Sequence, residues 1–123
     1  MTSSSAPDRL GLHDPDGFAA FVAGLPGTGL VEQWESHVAK VGGKVFALLG
    51  RGGGAVAFKV SALSFAGLTD LPGIAQAPYF ARGQWVSVAP GALGEAELAD
   101  YLRESHRLIA ARLTQRLRAE LGL

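Results

Sequence analysis

Acid–base, nucleophilic, metal or phosphate chemistry could be built in this 123-residue chain from three imidazoles, the Ser105-His106 step and two glycine clusters. His13, His37 and His106 are far apart in the sequence and have no Asp, Glu or His partner at metal-ligand spacing. There is no cysteine, which removes thiolate metal sites, iron–sulfur clusters, Cys nucleophiles and disulfides together. A Ser–His dyad requires the two side chains to face each other, but consecutive residues on a helix project about 100° apart. His106 falls beside the Leu102, Ile109 and Leu113 stripe instead, and a structural role follows. Gly42-Gly43 and Gly52-Gly53-Gly54 lie between strand-like runs, and no Walker pattern or Gly-x-Gly-x-x-Gly leads from strand to helix. These glycines are turns. The expectation is a non-enzymatic chain with no catalytic residues, metal or organic cofactor.

Charge and aromatic chemistry remain. Residues 1–35 carry Arg9 against Asp8, Asp14, Asp16, Glu32 and Glu35, whereas residues 36–92 carry Lys40, Lys44, Arg51, Lys59 and Arg82 against Asp70 alone. The middle of the chain is locally basic, although eleven bases and eleven acids cancel overall and the pI is near 6.8. No net field draws the molecule to a polyanion, so phosphate binding has to come from a local patch. Lys40 and Lys44 flank a Gly-Gly step and could enter a groove as a β-ribbon does. The competing reading is a solvated sheet whose lysines deter edge-to-edge aggregation. Tyr79, Phe80, Arg82 and Trp85 interleave aromatics with a base, as base-stacking surfaces do. In so small a domain, Phe80 and Trp85 serve better as core.

These residues have to be positioned by one domain, since the chain length suits a single core and 48% of residues are hydrophobic. Residues 1–13, opening on a Ser-rich run, read as a disordered arm, and residues 14–123 as the folded domain. Asp14-Pro15 caps a helix whose Phe18, Phe21, Val22 and Leu25 share one stripe, ended by Pro26-Gly27. From Leu30 to Lys59, runs of Val, Phe and Leu alternate with glycine clusters, which is the pattern of antiparallel sheet. A two-residue turn at Gly42-Gly43 predicts Val41 opposite Lys44, Lys40 opposite Val45 and Ala39 opposite Phe46. A short helix follows over Ser64 to Asp70, then a loop at 78–83 and a strand at 84–88. One long C-terminal helix opens at Gly94-Glu95 and carries Leu98, Leu102, Ile109, Leu113 and Leu117 on one side. The architecture is α+β, an antiparallel sheet of about four to six strands with helices from both chain ends on one face. No run approaches the ~20 apolar residues of a membrane span, and Met1 to Asp8 has neither a basic start nor an apolar core. A cytoplasmic protein without membrane partners is expected.

Five pieces of the chain, in order and at consistent separations, carry a family resemblance. They are Leu25-Pro26-Gly27; the run from Val41 to Ala47; Phe58-Lys59; the run from Ala77 to Val88; and Glu104-Ser105-His106-Arg107-Leu108. Over about residues 18–113 the sequence resembles the MmcQ/YjbR family of small bacterial proteins. The resemblance implies a two-layer α+β domain, similar in shape to secretion chaperones and described as a "double wing" that binds DNA. It also differs from the family in two places, with His106 where Tyr commonly follows Ser and glycine in the loop at 50–54. On this reading Lys40, Lys44, Arg51, Lys59 and Arg82 form a nucleic-acid-binding surface on the sheet and its hairpins, and binding to DNA is weak and salt-sensitive. The alternative is a non-catalytic module that binds another protein. The oligomeric state is left open.

Overall fold

The computed structural model describes residues 11–123. Six strands, β1 (Thr28–Gln33), β2 (Ser36–Val41), β3 (Lys44–Gly50), β4 (Val56–Lys59), β5 (Ile74–Gln76) and β6 (Trp85–Val88), form one antiparallel sheet in the order β1-β2-β3-β4-β6-β5. Four helices accompany it: α1 (Pro15–Ala23), α2 (Ala62–Thr69), α3 (Glu95–Ala110) and α4 (Gln115–Glu120). The expected α+β architecture, with helices from both chain ends, is present.

Three of the four helices start where a side chain supplies oxygen for their first amides. The Asp14 carboxylate accepts from the Asp16 and Gly17 amides ahead of α1, and the Ser61 hydroxyl from the Ser64 amide ahead of α2. α3 has Gly94 at its cap and places Glu95 and Glu97 in its first turn and Arg107 in its last, in line with its macrodipole.

Which residues face the helices is set by pairing. Phe58 stacks on Tyr101 of α3 with ring centroids 6.0 Å apart, and it lies opposite Ala47 on one side and Val86 on the other. Val56, Phe58, Ala47, Leu49, Val86 and Val88 therefore face the helices, and Leu48, Ala57, Trp85 and Ser87 face away. The core lies in the first layer, with Phe18, Phe46, Phe58, Leu98 and Leu102 all but fully buried.

Three expectations change. The Gly42-Gly43 turn pairs Val41 with Lys44 and Lys40 with Val45 as read, but Ala39 lies opposite Ala47 because Phe46 is an extra residue at a β-bulge. The bulge lets Phe46 and Ala47 both turn toward the helices, where the 0% exposure of each places them in the core. The single C-terminal helix is in fact two: α3 ends at Ala110, Leu113 packs beside Gly42, and the Thr114 hydroxyl accepts from the Leu117 amide to start α4. The domain also begins earlier than Asp14. Leu12 is buried with its amide bonded to Glu95, and His13 exchanges hydrogen bonds with Gly54, so residues 11–13 belong to the fold. The rest of the expected arm, residues 1–10, lies outside the described residues.

Candidate nucleic-acid interface

Antiparallel pairing decides which charges meet. β2 ends and β3 begins at the Gly42-Gly43 turn, where φ values of +56° and +83° suit glycine. Lys44 is exposed at this tip, and Lys40 pairs with Val45 on the sheet face away from the helices. β4 ends and β6 begins in the same row, since Lys59 lies opposite Trp85. The Lys59 ammonium donates to the Gln84 side chain. Burial, and secondarily the nearby Arg112 guanidinium, lower its pKa from the ordinary lysine value. Arg82 sits in the β5–β6 loop, three residues before β6. The structure thus brings Lys40, Lys44, Lys59 and Arg82 to one end of the sheet.

Arg51 is not with them. It follows β3 at the opposite end, where its amide donates to the Glu35 carbonyl and its own carbonyl accepts from His37 Nε2. Its place is taken by bases from the C-terminal segment, outside the set expected from the sequence. α3 runs toward the tip, so Arg112 stands there, and α4 adds the exposed Arg116 and Arg118 where Leu121 packs on Gly27 and Gly42. The only clue in the sequence was that these arginines flank Leu113 and Leu117 at the end of the apolar stripe. The direction of α3 against the sheet is a tertiary fact.

The acids collect at the other end. Glu32 and Glu35 flank the β1–β2 turn, Asp14 and Asp16 open α1 beside the β3–β4 loop, Asp70 closes α2, and Glu95 and Glu97 open α3. Among the described residues the exceptions are few: Arg51 and Arg103, the latter paired with Asp100, lie toward the acidic end, and Glu104, paired with Arg107, and Glu120, paired with Arg116, lie toward the tip. The molecule is neutral in sum and bipolar along its strands.

Away from the helices the sheet bears a groove of about 670 Å³ with Leu48, Ala57 and Ser87 on its floor and Trp34, Tyr79 and Phe80 on its walls. No Lys, Arg, Asp or Glu lines it. Phe80 stacks on the buried Trp85 at 4.2 Å, as core residues do. Trp34 is 64% exposed and Tyr79 fully so, and both hold positive φ, +54° and +70°, which costs a non-glycine residue about 1 kcal/mol or more.

The imidazoles hold the fold. His106 Nε2 donates to the Pro26 carbonyl and its ring meets Phe46 edge-on, while His13 and His37 donate to the carbonyls of Gly54 and Arg51. Ser105, fully buried, does not touch His106 as a nucleophile would touch its base. Its hydroxyl donates to the Phe46 carbonyl at 2.6 Å and accepts from the Lys59 amide at 2.9 Å, filling the gap that the bulge opens between β3 and β4. No three His, Asp or Glu side chains cluster for a metal among the described residues, and none of the described helices is long and apolar enough to cross a membrane.

The comparisons agree with this geometry. A family model described as YjbR matches residues 23–108. The chain is similar to the crystal structure of Deinococcus radiodurans protein DR2400, described with a DUF419 domain, with a TM-score of 0.75 and 24% identity over 88% of this chain and 87% of that one. It is also similar to a Pseudomonas syringae protein, with a TM-score of 0.65 and 20% identity over 77% of this chain and 97% of that one. No curated protein matches it.

Proposed function

This chain belongs to the YjbR family, and from that premise we propose that it is a non-catalytic DNA-binding protein that acts in the cytoplasm and takes the phosphate backbone at the tip of its sheet. The observation that carries this reading is the gathering of Lys40, Lys44, Lys59, Arg82, Arg112, Arg116 and Arg118 at one end, where the acids Glu104 and Glu120 are each paired with an arginine. A field of one sign over one end attracts a polyanion even when the net charge is zero, and the acidic end turns away from it. Backbone contacts of this kind carry no sequence information, so binding is weak and sequence-independent.

Fluorescence anisotropy with mixed-sequence duplex and single-stranded DNA over a salt series tests this. With about four or five phosphates neutralised, log K falls against log salt with a slope of about −4 to −5, and little binding remains near physiological salt. Lys44→Glu and Arg82→Glu, both exposed, abolish low-salt binding, whereas Arg51→Glu, at the opposite end, weakens it far less. Absence of wild-type binding at ~20 mM salt, where screening is least, overturns the reading.

The uncharged groove supports a second reading, a protein-interaction module. Two exposed aromatics on strained backbone beside an apolar floor suit an apolar segment of a partner better than a phosphate. Trp34→Ala with Tyr79→Ala leaves DNA binding intact if the tip is the interface, and removes partner capture if the groove is.

A further inference from the structure

We propose that the outer edge of β1 pairs with the same edge of a second copy, antiparallel, to make one sheet continuous across two protomers. This is independent of what the tip binds. The sheet has two edges. β5 is three residues long, a common way of blunting an edge, whereas β1 runs for six residues as Thr-Gly-Leu-Val-Glu-Gln. It contains no Pro and no Lys, and its one charge, Glu32, lies 3.4 Å from His37 on its own neighbouring strand. Leu30 (36% exposed), Val31 (42%) and Trp34 make up half of the six large hydrophobic side chains exposed among the described residues.

The backbone groups that point outward can be assigned. Gln33 and Ser36 close a two-residue turn, and the Gly42 amide donates to the Gly27 carbonyl at 3.2 Å, so odd-numbered residues of β1 bond to β2. The N–H and C=O of Thr28, Leu30 and Glu32 therefore point away from the sheet. Centred on Leu30, two copies form about six main-chain hydrogen bonds, Leu30 with the partner's Leu30 and Thr28 with the partner's Glu32 in both directions. Side chains keep their faces in that register, with Gly29 opposite the partner's Val31 on the face away from the helices.

A second copy is favoured as occupant by charge. Basic and acidic ends lie at opposite ends of every strand, so antiparallel pairing sets each basic tip beside the partner's acidic end. Parallel pairing would set like ends together. Both the register and the field are self-complementary, as a two-fold interface requires.

Val31 gives a sensitive test, because in this register it stands beside the partner's Gly29 and one strand from the partner's Lys40. Sedimentation velocity on the full chain is expected to show a species of twice the 12.8 kDa chain mass at ~100 µM, dissociating as salt rises. Val31→Lys, placing like charges together, raises the dissociation constant at least about tenfold, whereas Val31→Glu spares or tightens the dimer. The chain has no cysteine of its own, so Gly29→Cys mixed with Val31→Cys should cross-link under mild oxidation while neither does so alone. A monomer at ~100 µM, equal effects of Lys and Glu at position 31, or absence of the mixed cross-link each overturns the proposal.

Discussion

Ser105 shows how a residue with the look of chemistry is consumed by structure. Its hydroxyl satisfies one carbonyl and one amide that the bulge separates, and both are inside the protein. Ser105→Ala leaves both without a partner and is expected to cost about 2–4 kcal/mol, read as a lower midpoint in urea denaturation with an unchanged slope. A loss under 0.5 kcal/mol would mean that water enters the gap. Lys59, beside it, has its pKa held below the ordinary value by burial and by Arg112. The folded protein therefore disfavours the charged form, and the unfolded chain binds more protons in the interval between the folded and unfolded pKa. Stability should rise with pH through that interval, and the increment should vanish in Lys59→Met. Because Lys59 is partly exposed, the effect is small, and site-resolved NMR titration should show Lys59 losing its proton below the ordinary lysine value.

At the scale of elements, the α3–α4 break and the β2–β3 turn depend on each other. A Cβ on Gly42 would stand 2.6 Å from Leu113 Cδ1 at a φ of +56°, whereas a Cβ on Gly43 would meet nothing within 4 Å. Gly42→Ala should therefore destabilise more than Gly43→Ala, whose cost is only the backbone strain of about 1 kcal/mol. Leu113→Ala alone should cost about 2–5 kcal/mol. The double variant Gly42→Ala/Leu113→Ala should lose less than the sum of the two single variants, because removing the leucine makes room for the new methyl group. Thermal or chemical denaturation of the four proteins closes the cycle, and strict additivity would show that Leu113 does not rest on the turn.

For the whole molecule, the consequence of bipolar charge is independence of its ends. A six-residue strand spans about 20 Å, roughly two Debye lengths at physiological salt. Glu32→Gln with Glu35→Gln should therefore change the affinity for DNA at ~150 mM salt by less than about twofold. At ~10 mM salt, where the Debye length is about 30 Å, the same pair should raise it measurably. A salt-independent effect would place those carboxylates in direct contact with the ligand. Anisotropy on the double variant at the two salt concentrations distinguishes these outcomes.

Local chemistry made much of this fold legible before any coordinates. Asp14-Pro15, the Gly42-Gly43 turn with its first two pairs, the short helix near 64–70 and the Leu98–Leu102–Ile109 stripe each rest on interactions within a few residues. β5 was missed because three residues are too few to show a period, and its pairing with β6 is a long-range contact. The bulge at Phe46 was equally invisible, since it exists to turn Phe46 and Ala47 into the same core and is stabilised by Ser105 from 59 positions away. Of the five bases picked from sequence, four converge and Arg51 does not, because alternate turns of an antiparallel sheet lie at opposite ends. Residue types and local turns were determined by the sequence alone. Which charges share an end, and which strand is left at the edge, were decided only when the strand order and the direction of α3 brought distant segments together.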